Sequence, residues 1–466
     1  MTKKVYRPHQ VKMDDYFAKV NHPALLVEMR LGKTLVTIRG LVAKGVQRIL
    51  VAAPINAMVS WKEQLIEEGE EFIEAYGMSS ALREQRILEA VHVQHRIWVL
   101  VNYEGFLFVP EMARVPWDAV VADESVKLKN PQAKVSKAFT KNFRNVPHRV
   151  LLTGLAAPES ELDLFQQFLY LHSRFMGHHN FYHWRNEFFA PHYLGYSWVP
   201  KSGVKKLIHK VVHEKAFVLT RKEAGMERKK YYSTRAVQMT KEQKSLYRQI
   251  EKEFCYEYEW LVNGKHFEVA NETMWATDRG LWLRRVAGGF TPDGKVAISN
   301  EKPKELLYLL KNDFANESVV IWYKFRAELI HDLHFLSANG IDCAYMLGRQ
   351  SVDGHSMSVE EAEKQETLFK RGKKRVMLCM QKLGAYAKDF SIASVAIYRS
   401  NEHSCDLRAQ SEDRILSLGK EGGLMVIDLV TEDTNDVETV ECIKLKKFNA
   451  RNLMLPAWNR SGVKKK

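Results

Sequence analysis

No Cys-x-x-Cys pair occurs among the 466 residues, and the five cysteines (Cys255, Cys343, Cys379, Cys405, Cys442) are scattered. That argues against a disulfide framework or a zinc ribbon and for a reducing compartment. No apolar run approaches the roughly 20 residues that cross a bilayer. The opening Met1-Thr2-Lys3-Lys4-Val5-Tyr6 lacks the apolar core of a secretory signal. A cytoplasmic location and no membrane partner are therefore expected. There is no short internal repeat and no low-complexity segment. Acidic residues are in deficit, 56 Asp+Glu against 70 Lys+Arg, leaving a net charge of +14. An excess of that size suits a polyanionic partner, nucleic acid being the commonest.

What is present is an ordinary globular composition, 45% hydrophobic and 27% charged, in a chain long enough for about two to four domains. Short apolar runs rich in β-branched residues recur between helical patterns. The first set is Arg48-Ile49-Leu50-Val51-Ala52-Ala53, Ile97 to Val101, Ala119 to Ala122 and Arg149 to Leu152. The second is Val319 to Trp322, Val376 to Cys379, Val395 to Tyr398 and Leu424 to Ile427. Continuous apolar strands alternating with helices predict α/β lobes with buried parallel sheets flanked by helices. Residues 157–300 read as a helical, basic insertion and inter-lobe region, with Lys201, Lys205, Lys206, Lys210, Arg221, Lys222, Arg228, Lys229 and Lys230 at its middle. The expected divisions are 1–156, 157–300, 301–450 and a basic tail over 451–466.

Gly32-Lys33-Thr34 is the most informative triplet. It follows the apolar Leu25-Leu26-Val27 and precedes a helix-like pattern of Leu35, Val36, Ile38, Leu41 and Val42. That is the context of a phosphate loop, although Val27 stands at the loop's first position where glycine is usual. Backbone N–H groups wrap the phosphates, Lys33 reaches the β/γ pair and the Thr34 hydroxyl ligates Mg²⁺. Such a loop demands a second strand ending in an acidic, metal-holding residue. Ala119-Val120-Val121-Ala122-Asp123-Glu124 supplies it: Asp123 for the metal, Glu124 to orient and deprotonate the attacking water.

The order and spacing of these segments resemble the Swi/Snf-type branch of the superfamily 2 helicase-like ATPases, in a compact form suited to a bacterial or phage setting. Tyr6-Arg7-Pro8-His9-Gln10 is similar to the family's upstream motif, and Glu28 to Thr34 to its first. Ala53-Pro54 with Trp61 is similar to the next, a nucleic-acid-contacting segment. Asn102-Tyr103-Glu104, Asp123-Glu124-Ser125-Val126-Lys127-Leu128-Lys129-Asn130 and Leu151-Leu152-Thr153-Gly154 follow in family order. In the second half, Gly348, Gly384 to Ser391, Gln410-Ser411-Glu412-Asp413-Arg414, and Thr434 with Asp436 complete the series. The resemblance implies two RecA-like lobes with helical insertions between them, ATP and Mg²⁺ in the cleft, and duplex DNA gripped without sequence preference. It assigns catalysis to Lys33, Asp123, Glu124 and Arg414, the last reaching the γ-phosphate. Nucleotide contacts fall to Arg7, Gln10 (reading adenine), Arg30, Gly32, Lys33, Thr34 and Gln410. Metal contacts fall to Thr34 and Asp123, and nucleic-acid contacts to Trp61, Lys129 and Asn130.

The chain departs from the pattern at several places. Arg30 replaces a glycine, Val126 a histidine, and Leu155-Ala156 a Thr-Pro pair; the last two touch the relay between nucleotide and DNA sites. Ala387 and Lys388 replace a Gly-Leu pair, while Ser417 and Lys420 replace an arginine and a glutamine of the sixth motif, for which Arg408 is a candidate substitute. His172, His178, His179 and His183 cluster without a nearby cysteine and are read as surface or nucleic-acid-facing rather than metal ligands. Phe254, Tyr256, Tyr258, Trp260, Trp275 and Trp282 are read as packing between insert helices. The expected activity is an ATP-dependent double-stranded-DNA translocase acting in replication, recombination or repair. The rivals are a strand-separating helicase, a degenerate ATPase that only binds, and an unrelated phosphate-loop enzyme.

Overall fold

Alternate residues of the apolar strands are buried on opposite faces, which is why the runs show no polar interruption. The structure, a computed structural model, describes residues 4–107, 109, 112, 114–192, 197–227, 229–262, 279–348, 357–384, 390–416 and 422–454. The chain divides into two units, Met1–Glu227 with Lys446–Lys466, and Arg228–Leu445.

Strands of the first unit are β1 (Ala24–Val27), β2 (Arg48–Ala52), β3 (Phe72–Glu74), β4 (Ile97–Val101), β5 (Ala119–Asp123), β6 (His148–Thr153), β7 (Phe189–Pro191), β8 (Trp198–Pro200) and β9 (Phe217–Leu219). Seven form one parallel sheet in the order β3-β4-β2-β5-β6-β1-β9, and β7 and β8 make a separate antiparallel ribbon. Its helices are α1 (Pro8–Lys19), α2 (Lys33–Ala43), α3 (Met58–Glu68), α4 (Ser80–His92), α5 (Lys134–Phe143), α6 (Leu164–His172), α7 (Phe181–Phe188) and α8 (Val204–Lys215). Leu25, Val27, Ile49, Val51, Val121 and Leu152 pack on one face against α1, α2 and α3. Leu26, Leu50, Val99, Val120 and Leu151 pack on the other against α4, α5 and α6. Each such side chain contributes about 1.5–3 kcal/mol on leaving water.

The second unit contains β10 (Lys230–Val237), α9 (Lys241–Val262), a helical stretch α10 over 279–287, α11 (Glu301–Lys311), β11 (Val319–Tyr323), α12 (Arg326–Ala338), β12 (Cys343–Met346) and α13 (Val359–Lys370). There follow β13 (Val376–Met380), α14 (Gln381–Gly384), β14 (Val395–Tyr398), α15 (Cys405–Ile415), β15 (Leu424–Thr431) and the first part of α16 (Asn435–Met454), whose residues 446–454 belong to the first unit. Six strands pair in parallel as β10-β15-β14-β11-β13-β12. Val319, Ile321, Leu378 and Ile397 face α11 and α12, and Val320, Trp322, Met377 and Tyr398 line the opposite core with Ile415 of α15. The expected α/β class with two helix-flanked parallel sheets holds.

Residues 157–300 do not form one helical insertion. The stretch is divided at 227/228, and each part donates an edge strand, β9 to the first sheet and β10 to the second. Of the tail over 451–466, residues 451–454 continue α16 and the rest lie outside the described residues. The aromatic side chains of 252–278 lie outside them too, whereas Trp282 is exposed on α10.

Candidate active site

β1 delivers the chain into a turn over 28–32, and α2 begins at Lys33 with Gly32 as its N-cap. Two residues of this turn take the left-handed conformation, Arg30 at φ +65° and Gly32 at φ +84°. Glycine suits φ +84° at position 32, and a Cβ there would also have to displace the Gln10 amide, whose Nε2 would lie 2.0 Å away. At the start of α1 the Gln10 Oε1 accepts the Arg7 N–H at 2.8 Å, and the Gln10 N–H donates to the Arg7 carbonyl at 2.8 Å. His9 Nε2 lies 3.1 Å from the Leu31 carbonyl, which fastens α1 to the loop beside the Gln10 amide packed at Gly32. Lys33 Nζ donates to the Val27 carbonyl at 2.6 Å, closing the turn over itself. Thr34 follows at the second position of α2, partly exposed.

The strand β6 lies between β1 and β5, so the turn after β1 and the acidic end of β5 open at the same carboxyl edge of the sheet. Asp123 is almost wholly buried. Its Oδ2 accepts the Trp61 indole N–H at 2.8 Å and its Oδ1 the Glu124 N–H at 2.9 Å, while Tyr103 Oη donates to its carbonyl at 2.8 Å. Burial pushes the Asp123 carboxyl up; the Trp61 hydrogen bond, the Lys33 charge and the Glu124 N–H oppose that. Glu124 sits at φ +49°, a left-handed non-glycine position of the kind that collects at functional sites.

A hydroxyl at Thr34 and an ordered carboxylate at Asp123 are hard oxygen donors, the chemistry that magnesium takes. The residues present fit that ion, with Asp123 oriented by Trp61 and Glu124.

Gln10, Gly32, Lys33, Asp123 and Glu124 are thus brought together in the first unit. Trp61 is not where a nucleic-acid contact was expected: it is fully buried, and its N–H is spent on Asp123. Lys129 is partly exposed and 3.8 Å from Glu159, and exposed Asn130 accepts the Gln132 N–H at 2.9 Å. Arg7 lies along the turn after β9, with Nη1 3.6 Å from Met226 Sδ. One contributor was missed. Arg221, nearly buried, donates its backbone N–H to Glu28 Oε2 at 2.9 Å and its Nε to the Met29 carbonyl at 3.1 Å. No spacing pattern marks a brace that reaches the loop from nearly 200 residues away.

In the second unit, Arg414 occupies the last turn of α15, partly exposed. Gln410, expected to touch nucleotide, is buried, and its Nε2 donates to Asp406 Oδ1 one turn earlier at 2.9 Å. Arg408 cannot stand in for a missing arginine. Its guanidinium is buried on Asp428 and Glu412, 3.4 Å above the Tyr398 ring. Asp436 pairs with Lys302 at 2.6 Å, and the Gly348 carbonyl accepts from Arg326. Ala387, Lys388, Ser417 and Lys420 lie outside the described residues. Of the histidine cluster, His172 packs on Phe168 and His178 pairs with Glu187 at 3.0 Å. Among the described residues no three His, Cys, Asp or Glu side chains group as metal ligands.

Chromodomain-helicase-DNA-binding protein 7 of Homo sapiens is 29% identical over 167 residues, 32% of this chain and 5% of that protein. Chromodomain-helicase-DNA-binding protein 6 of Rattus norvegicus is 28% identical over 156 residues, 30% of this chain and 6% of its own length. The chain therefore matches only a small part of these relatives. A solved structure, the Sulfolobus solfataricus SWI2/SNF2 ATPase core in complex with dsDNA, aligns over 98% of this chain and 96% of its own at 15% identity and a TM-score of 0.43. The model of the SNF2-related domain matches residues 17–280, more than half of the sequence and the whole of the Lys33–Asp123 constellation. On that match the chain belongs to the SNF2-related family of helicase-like ATPases.

Proposed function

We propose that the chain is a DNA-stimulated ATPase that translocates along duplex DNA, gripping the phosphate backbone without sequence preference, in replication, recombination or repair. The observation that carries this reading is that the turn after β1, with Lys33 at the head of α2, and Asp123, at the end of β5, lie at the same carboxyl edge of one parallel sheet. A triphosphate occupying the turn receives N–H groups and the positive end of α2. Lys33 exchanges the Val27 carbonyl for phosphate oxygens, and Gln10 borders the loop on the side of α1. Thr34 and Asp123 would hold magnesium, which when bound neutralises phosphate charge. Glu124 orients the attacking water and accepts its proton, and Arg414 keeps the role that the family motif implies. Exposed Lys201, Lys206 and Lys210 suit backbone contacts whose affinity falls steeply with salt.

The test is ATP turnover with duplex, single-stranded, forked and RNA substrates beside Lys33→Ala. Duplex should stimulate most, and Lys33→Ala should lose on the order of 10²-fold or more in kcat. Robust strand displacement would move the assignment to a helicase. Turnover no greater than that of Lys33→Ala at saturating DNA would reduce the protein to a binding module.

A further inference from the structure

The segments that follow β5 and β6 meet through one side chain that neither contains. Gln167, in the middle of α6, is completely buried. Its Nε2 donates to the carbonyls of Ala156 and Asp163, each at 2.7 Å, and its Oε1 lies 2.7 Å from the hydroxyl of Ser125, also completely buried. The amide has only one workable orientation. Two backbone carbonyls can only accept, so the NH₂ faces them and the oxygen takes the Ser125 proton. Every hydrogen-bonding group of the amide is thereby used.

Ser125 directly follows the acidic pair, one peptide bond from Glu124 and two from Asp123. Ala156 belongs to the segment after β6, whose Gly154 is packed on the phosphate loop: a Cβ there would lie 3.2 Å from Met29 Cγ. Because Asp123 pairs with Leu152 across β5 and β6, the contacts close a ring from Asp123 and Glu124 through Ser125, Gln167 and Ala156 back along Gly154 to Leu152, with Met29 packed on it at Gly154. The same segment continues to Glu159, which pairs with Lys129, and to the Asp163 carbonyl that Gln167 holds. Val126, standing where the family pattern has a histidine, is a buried aliphatic residue with no polar atom to offer this ring. A buried amide satisfied at three points resists any displacement of one segment that the other does not follow, since each unmade bond costs a desolvated polar group.

We propose that Gln167 is the positioning residue that couples the Asp123–Glu124 strand end to the 153–163 segment, replacing the missing histidine and carrying nucleotide occupancy to the DNA-gripping side. The proposal rests on the reading of the chain as a DNA-stimulated ATPase.

The measurement is duplex-DNA affinity by fluorescence anisotropy, with and without a saturating non-hydrolysable ATP analogue. It compares the intact chain with Gln167→Leu, Ser125→Ala and the double variant. The ratio of the two affinities is the coupling, and couplings of this kind run to about 5–150-fold. Gln167→Leu should bring that ratio to within about twofold of one, while analogue affinity in the absence of DNA changes less than about twofold. Ser125→Ala should move it the same way, and the double variant no further than Gln167→Leu alone, because both changes break one ring. A ratio unchanged in Gln167→Leu and Ser125→Ala, whatever happens to the melting temperature, makes Gln167 a packing residue and overturns the proposal. Should Gln167→Leu not fold, the small deletion in Ser125→Ala decides alone. Duplex-stimulated turnover of the unaltered chain tells the two failures apart: present with an unchanged variant ratio, only the coupling idea falls; absent, the functional reading falls with it.

Discussion

At the scale of single residues, Trp61 and Asp123 share a hydrogen bond that one substitution can read. Trp61→Phe keeps a large buried ring but deprives a buried carboxylate of a donor, at a cost of about 1–3 kcal/mol in stability. The Trp61 N–H also helps to hold the Asp123 carboxyl down against burial. Its removal should therefore shift the acidic limb of the ATPase pH profile to higher pH, a change that lost packing alone would not produce. Gly32 gives a second reading. Gly32→Ala forces an L residue into φ +84°, worth about 1–2 kcal/mol, and drives a methyl group onto the Gln10 amide. Titration with a fluorescent ATP analogue should show binding weakened by about 5–30-fold, with only partial recovery when Gln10→Ala removes the clash but not the backbone cost. Both residues were visible in the sequence, but only the tight turn at Gly32 was legible there, not the buried partner of Trp61. A tryptophan has an apolar body and one donor, and the primary structure does not say whether that donor meets a nucleic acid or a neighbouring carboxylate.

Among the elements, those legible beforehand are the ones buried on both faces. β2, β4, β5, β6, β11, β13, β14 and β15 coincide with the apolar runs because a parallel sheet covered by helices leaves no solvent face to alternate. β9 has three residues, and β10, reading Lys-Tyr-Tyr-Ser-Thr-Arg-Ala-Val, is an edge strand with Tyr231 and Tyr232 exposed. The first is a brief apolar run set in basic, helix-like sequence and the second carries none, so the region around them was taken for one helical insertion. The same blindness hid Arg221, whose value comes from the turn after β9 rather than from any motif. Arg221→Met should preserve the aliphatic stem and the backbone N–H to Glu28 but lose the Nε bond to the Met29 carbonyl. The expected outcome is a KM for ATP raised about three- to tenfold, matching a loss of roughly 1 kcal/mol, with kcat little changed. A fall in kcat at constant KM would assign Arg221 to the chemistry instead.

For the molecule as a whole, acid is the condition to vary. His22 and His172 sit near Arg149 in the first unit. Burial, with Arg149 and His148 adding to it, holds the His22 pKa down at about 4; burial, with Lys215, His22 and Arg149, does the same for His172. An unfolded histidine titrates near 6.5, so between that value and about pH 4 the unfolded chain binds more protons than the folded one. Stability is then fully present above about pH 6.5 and is lost as pH falls toward 4. His172→Phe should flatten that part of the melting-temperature profile relative to the unaltered chain, and an unchanged slope would locate the acid sensitivity elsewhere. One consequence concerns how the chain is made rather than how it works. The partner of β10 is β15, whose first paired residue, Leu424, lies roughly 200 residues downstream of Lys230. At about 5–20 residues per second on a ribosome, the nascent β10 waits on the order of 10–40 s before the strand that completes its ladder exists. Tyr231 and Tyr232 leave the exit tunnel as an unmatched edge, the kind of surface that a chaperone must shield.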